Sequence, residues 1–104
     1  MKHISDQDIL NRLAAMAEEH DPVIKVAEKS KNVLAGAYEL VITKGYYEEK
    51  ISIPMATVER WLEQNDRTCE AVIRRLISAA TDRLDARDYE MKHQGLFDWT
   101  GDRR

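Results

Sequence analysis

The side chains that most often carry catalysis are few in this chain and far apart. Its three histidines are His3, His20 and His93, and its single cysteine is Cys69. The sequence contains no histidine pair at metal-ligand spacing, no nucleophile motif and no glycine-rich phosphate loop. The acidic run at residues 18–21 does not converge on one point, because consecutive residues of a helix point in different directions. The sequence therefore predicts no enzyme activity, no cofactor and no metal site.

The arginines are the most informative charged residues, because they are concentrated in one half of the chain. Eight of the nine arginines follow residue 59, whereas six of the seven lysines precede residue 51. Arginine forms paired hydrogen bonds with carboxylates and phosphates, so we expect a contact surface in the C-terminal half. Two aromatic residues near the C-terminus are candidate anchors for a partner protein. The predicted partner-binding residues are Arg74, Arg75, Phe97, Trp99, Arg103 and Arg104.

One segment resembles the helix-turn-helix motif of DNA-binding proteins. Within residues 47–62, Val58 and Trp61 occupy positions that are apolar in that motif. The positions that would face the major groove, however, include the carboxylates of Glu59 and Glu63 and only one arginine. Two carboxylates against one guanidinium would repel the DNA phosphates, so this motif remains an alternative.

A second segment resembles the ribbon-helix-helix motif, in which a strand reads the bases. Residues 50–54 would form the strand, and residues 66–77 would form the second helix. The separation from Pro54 to Arg67 is about one helical turn shorter than this motif requires, which weakens the resemblance. The predicted nucleic-acid contacts are Lys50 and Ser52 on the strand and Arg67 and Thr68 at the helix start.

Two helices are predicted at the N-terminus. Ser5 is a good N-cap, Asp8 lies where a capping box places an acid, and apolar residues then recur at helical spacing. This helix should end near His20, because Pro22 begins a new segment. Proline at a first helical position, followed by apolar residues at three- and four-residue steps, predicts a second helix that ends near Leu34.

Residues 37–54 alternate apolar and polar side chains on either side of a glycine, which predicts a β-hairpin. Reflection about the turn pairs Ile42 with Ile51. The same reflection pairs Leu40 with Ile53, so one face of the hairpin is apolar. Two strands alone are only marginally stable, and we therefore expect this face to pack against helices.

A short helix at residues 55–64 and a long helix that begins near Cys69 complete the predicted elements. Trp61 of the short helix should be largely buried against the long helix. Gly95 suits the residue that follows a helix, so the long helix should have about 26 residues and a length of about 39 Å. Its predicted inner face consists of Val72, Ile73, Leu76, Ile77, Ala80, Leu84 and Met91.

These elements predict a single α+β domain over residues 1–104, with an aromatic and charged tail at residues 96–104. The alternative fold is all-α with a helix-turn-helix. No apolar run reaches the roughly 20 residues that a membrane helix needs, and the N-terminal residues lack the apolar segment of a secretory signal. We therefore expect a cytoplasmic protein with no membrane partner.

The charge balance and the predicted long helix indicate the class of function. Sixteen basic and 19 acidic residues give a net charge of −3, which does not support a globally basic nucleic-acid binder. We expect a small intracellular protein that binds another protein in a regulatory, inhibitory or accessory role. A DNA-binding transcriptional regulator is the alternative. A helix of about 39 Å is too long for a compact domain with a radius of gyration of about 13 Å, which predicts a homodimer through that helix.

Overall fold

The computed structural model describes the backbone of residues 4–101 and the side chains of residues 4–89. One helix precedes a three-stranded antiparallel sheet, and two helices follow it, so the predicted α+β class is confirmed. The all-α alternative is wrong, because residues 47–54 form a strand and not a helix. The elements are α1 (Asp6–His20), β1 (Lys25–Asn32), β2 (Ala37–Lys44), β3 (Tyr47–Pro54), α2 (Met55–Gln64) and α3 (Arg67–Gly101).

The predicted second helix is wrong, because most of that segment forms the edge strand β1. This strand pairs with β2 in antiparallel register, from Lys25 opposite Thr43 to Asn32 opposite Ala37. Leu34, where the predicted helix should end, lies instead in the exposed turn that follows the strand. Pairing with a strongly β-forming neighbour outweighs the weak helix preference of the β1 residues, as sheet context commonly does.

The predicted hairpin is present, but its strands are paired two residues away from the predicted register. Gly45 and Tyr46 form a two-residue turn, so Leu40 lies opposite Ile51 and Ile42 lies opposite Glu49. A shift of two residues keeps every side chain on its predicted face, since strand side chains alternate with a period of two. The expected apolar face is therefore present in spite of the shifted register.

The two faces of the sheet differ in character. Side chains from β2 and β3 on the inner face are buried, whereas Glu48, Lys50 and Ser52 on the outer face are exposed. Helices α1 and α3 lie side by side on the inner face, where α1 contacts β1 and α3 contacts β3. The buried inner-face residues of the sheet are Tyr38, Leu40, Ile42, Ile51 and Ile53.

The two ends of α1 lie where the sequence predicts them. The Ser5 hydroxyl accepts a hydrogen bond from the backbone N–H of Asp8 at 3.1 Å, and α1 ends at His20 as expected. Asn65 takes a left-handed conformation (φ 52°) that ends α2 and turns the chain. The carboxylate of Asp66 then accepts from two backbone N–H groups of α3 and caps its N-terminus.

Helix α3 covers the inner face of the sheet and then extends past it. Ile73, Ile77, Ala80 and Leu84 are buried as predicted, but Val72 is 39% exposed. The helix continues through Gly95 to Gly101, so the predicted end at residue 94 is wrong. The radius of gyration is 17.0 Å and the longest dimension is 68 Å, whereas a compact chain of this size would have a radius of about 13 Å. The chain is therefore elongated.

Trp61 is partly buried, which agrees with the expected burial of its side chain, and its contact with α3 stays a prediction. It packs at the margin of the core with its neighbour Leu62. We expect Trp61→Ala to lower the free energy of unfolding by about 2 kcal/mol, less than for a core tryptophan, because part of the ring is already in water. Urea unfolding measures this change, and Arg60→Ala at the adjacent exposed position should change stability by less than about 0.5 kcal/mol. An unchanged midpoint in Trp61→Ala would contradict the packing.

Candidate binding groove

The described residues contain no group of three or more histidine, cysteine or acidic side chains that could hold a metal ion. Cys69 is buried near the start of α3. The arginines of α3 are the starting point for describing the candidate site. These arginines divide into two sets with different surroundings.

The first set fastens α3 to the sheet. Arg83 donates to Glu49 at 2.6 Å, and Arg87 contacts the other carboxylate oxygen of Glu49 at 3.1 Å. Arg87 also donates to the backbone carbonyl oxygen of Glu48 at 3.0 Å. Residues 83 and 87 are one helical turn apart, so both guanidinium groups reach the same strand. These two arginines hold α3 against the sheet, and about half of each side chain stays exposed.

A second ionic cluster joins three elements on the other side of α3. Lys44 at the end of β2 hydrogen-bonds with Asp85 of α3, and it lies 3.8 Å from the carboxylate of Asp21 at the end of α1. The hydrogen bond with Asp85 raises the pKa of Lys44 above its ordinary value, so the lysine stays charged at neutral pH. This cluster also serves the fold, because it joins α1, the sheet and α3.

The second set of arginines borders a groove between α1 and the first half of α3. From α1, Met16 and His20 line this groove, and from α3 it is lined by Ala71, Ile77 and Ser78 together with Arg74 and Arg75. Met16 and Ile77 are buried and form an apolar floor, whereas both arginines are exposed at the rim. The hollow holds about 430 Å³, which lies within the usual size of binding pockets. We call it the α1–α3 groove.

A neighbouring hollow extends the α1–α3 groove toward the turn between α2 and α3. Asn65, Arg67 and Glu70 line it, and it shares Ala71 and Arg74 with the first hollow. The two hollows therefore form one continuous surface along the first three turns of α3. The name α1–α3 groove covers both hollows.

The rim of the groove carries uncompensated positive charge. Arg74 donates to Glu70 at 3.0 Å, one helical turn away. Within the part of the chain that the structure describes, Arg67 and Arg75 form no ion pair. Positive charge is therefore concentrated locally in a protein whose net charge is −3. A negatively charged ligand would be attracted to this rim.

The predicted site residues are distributed over several surfaces. Arg74 and Arg75 border the groove, and Arg67 borders its extension. Thr68 lies in the first turn of α3, where its backbone N–H is bound by Asp66. The structure does not bring the predicted nucleic-acid contacts together, because the strand pair, Lys50 and Ser52, lies on the outer face of the sheet, away from α3. The side chains of Phe97 and Trp99 and all of Arg103 and Arg104 lie outside the described residues.

Sequence reasoning missed the contribution of α1 to the site. From the sequence alone, Met16 is one of the apolar residues at helical spacing in α1, and His20 marks the predicted end of that helix. Neither the position of α1 beside α3 nor the resulting floor is visible in a single sequence. In the sequence, Ala71 is the residue that indicates a hollow at this place, because a small side chain between Arg67 and Arg75 leaves space on the surface of a helix.

Comparisons with known proteins add no further assignment. No protein-family model matches the chain, and no curated protein or solved structure is significantly similar to it. Within residues 4–101, no helix is long and apolar enough to cross a membrane. The α1–α3 groove and the charges at its rim are the features of the structure that bear on function.

Proposed function

We propose that this protein is a small non-enzymatic binding protein that acts by protein–protein interaction in a regulatory, inhibitory or accessory role. The observation that carries the proposal is the α1–α3 groove, which combines an apolar floor with an arginine rim. Apolar pockets bordered by arginine are typical of the centres of protein interfaces. A cytoplasmic location remains part of this proposal.

A DNA-binding regulator is the second candidate, and one observation favours it. Arg67, Arg74 and Arg75 all border the groove, where they could contact successive phosphates. Glu70 lies among them and would repel a phosphate backbone, which favours the protein-binding proposal. The two candidates make different predictions when these charges are reversed.

We expect the double substitution Arg74→Glu and Arg75→Glu to abolish partner binding and to leave the fold intact. Both side chains are exposed, so the melting temperature should fall by only a few degrees. The matched control is Lys25→Glu with Lys29→Glu, which makes the same change in net charge at exposed positions of β1. Pull-down from lysate compares the unmodified protein with both double variants, and a salt-titrated DNA-binding assay is run beside it.

The outcomes separate the two candidates. The proposal is supported by a lysate protein that binds the unmodified chain and the variant with Lys25→Glu and Lys29→Glu. The same protein must fail to bind the variant with Arg74→Glu and Arg75→Glu. DNA binding with a salt slope that falls by about one unit for each lost phosphate contact supports the regulator instead. Equal retention of all proteins by both double variants contradicts a role for the groove.

We also propose that the protein forms a two-fold dimer through α3. Leu84 is buried within one chain, so we place the interface in the part of α3 that follows it, residues 85–101, which is about 25 Å in length. We expect sedimentation equilibrium to give a dimer for the full chain and a monomer for a chain that ends at Gln94. A monomeric full chain that becomes dimeric only on truncation would show that the C-terminal residues cover α3, and the dimer proposal would then be wrong.

A further inference from the structure

We infer that the α1–α3 groove binds an acidic amphipathic α-helix of a partner protein. This inference deepens the proposed function and rests on it, because it names the chemistry of the partner at the same site. It depends on the shape of the groove, on its floor and on the sign of its charges.

The shape of the groove fits a helix. Helix α3 forms one wall of the groove from Arg67 to Ser78, which corresponds to about 17 Å along the axis. Helix α1 forms the opposite wall through Met16 and His20, beside the part of α3 from Ala71 to Ser78. About three turns of a partner helix have this length. A third helix that lies between two others is a recurrent mode of peptide recognition. The edges of the sheet belong to β1 and β3, and none of their residues lines the groove, so an added strand does not fit there.

The floor of the groove requires apolar side chains from the occupant. Met16 has a flexible and polarizable side chain that adapts to different apolar groups. Ile77 is 1% exposed and closes the bottom of the groove, so an apolar side chain of the occupant would rest above it without entering the core. Ala71 is exposed and small, which allows the backbone of a second helix to approach closely. Apolar residues at helical spacing would place two or three side chains on this floor.

The charges of the rim require acidic flanks on the occupant. Arg67 and Arg75 stand at separate points along α3, eight residues apart, and neither has an ion-pair partner among the described residues. Carboxylates on the two flanks of a helix would meet these guanidinium groups individually and avoid Glu70. A continuous phosphate chain would have to pass Glu70, which disfavours nucleic acid as the occupant.

The test uses a labelled peptide probe of defined chemistry. The probe is a capped 14-residue helix-forming peptide with leucines on one face and glutamates on both flanks. One control peptide has the same composition in scrambled order, and another replaces each glutamate by lysine. Fluorescence anisotropy with the full chain should show the acidic amphipathic peptide binding at least about ten times more tightly than either control.

Two variants locate the binding site. Arg67→Glu with Arg75→Glu should weaken binding of the acidic peptide at least about tenfold, whereas Lys25→Glu with Lys29→Glu should change it less than about twofold. Ala71→Trp fills the groove without changing its charge and should also block the peptide. Because residue 71 is exposed, this variant should keep the melting temperature of the unmodified protein.

Four results would overturn the inference. The first two are equal affinity for the acidic and scrambled peptides and higher affinity for the lysine peptide than for the acidic one. The other two are an affinity for the acidic peptide that Ala71→Trp does not lower, and tighter binding of a short DNA duplex than of the acidic peptide. Self-association that Ala71→Trp abolishes, without any peptide binding, would show that the occupant is a second copy of the chain. A lysate partner lost with Arg74→Glu and Arg75→Glu, combined with no peptide binding, overturns only the helix chemistry and leaves the proposed function in place.

Discussion

Replacing Leu84 by alanine is expected to lower the free energy of unfolding by about 3–5 kcal/mol. Leu84 is 0% exposed and is the last buried residue of α3 whose side chain is described. Removal of its side chain loses the free energy gained by burying those apolar atoms. It also leaves a cavity that the sheet and the helix fill only in part when they relax. For a domain of this size, the melting temperature should fall by roughly 12–30 °C.

The matched control for this prediction is Val72→Ala on the same helix. Val72 is 39% exposed, so its truncation removes little buried surface and should cost less than about 1 kcal/mol. Urea unfolding of both variants gives the two free energies. Similar small losses in both variants would mean that α3 does not pack on the sheet at Leu84. The whole apolar face of α3 would then be available as the interface of the proposed dimer.

Helix and hairpin signals in the sequence predicted the structure correctly where local chemistry decides it. Ser5 caps α1, and a glycine closes the turn between β2 and β3. Each of these features depends on hydrogen bonds or dihedral angles within a few residues. The bounds of α1 and α2 were therefore predictable to within a residue or two.

Strand β1 could not be predicted from its own residues. It contains Ala27, Glu28 and three lysines, which favour a helix or an exposed segment over a strand. Its pairing with β2 is a property of the neighbour, and the bulge between Val26 and Glu28 also breaks the alternation expected of a strand. The turn after the strand carried the missed signal. Asn32 accepts from a backbone N–H of this turn at 3.0 Å, and Gly36 has φ 63°.

The candidate site was predictable in part for the same physical reasons. The concentration of arginines in the C-terminal half pointed to Arg74 and Arg75, which do border the groove. The sequence alone does not distinguish these arginines from Arg83 and Arg87. The two sets differ because Arg83 and Arg87 form ion pairs with Glu49, which lies in a strand distant in sequence. The floor also needs Met16, more than fifty residues away in sequence. Contacts between distant segments depend on the tertiary arrangement, which residue spacing does not specify.

The second large effect is expected at alkaline pH and arises from Tyr38. Its ring is buried, and its hydroxyl donates to Asp6 at 3.2 Å. Lys31 contacts the same carboxylate at 3.2 Å, so the three groups join α1 to two strands. Burial of the phenol, reinforced by the negative charge of Asp6, raises the pKa of Tyr38 to about 12.

This raised pKa makes the stability of the protein depend on pH in a defined direction. The unfolded phenol loses its proton near pH 10, whereas the folded phenol keeps it to about pH 12. The contribution of Tyr38 is therefore fully present below about pH 10 and is lost as the pH rises toward 12. Two pH units correspond to at most about 2.7 kcal/mol of stability from this group.

Substitution of Tyr38 by phenylalanine isolates this contribution. At neutral pH the variant should lose about 1 kcal/mol for the hydrogen bond to Asp6. Between pH 10 and pH 12 its free energy of unfolding should decline less steeply than that of the unmodified chain, because the variant lacks the phenol whose pKa is raised by folding. Tyr46→Phe serves as the control, since Tyr46 is fully exposed and its removal should leave the pH dependence unchanged. Parallel stability curves for Tyr38→Phe and the unmodified protein would show that the Tyr38 phenol ionises as readily in the folded chain as in the unfolded one, and the packing of α1 over β2 at Asp6 would then be wrong.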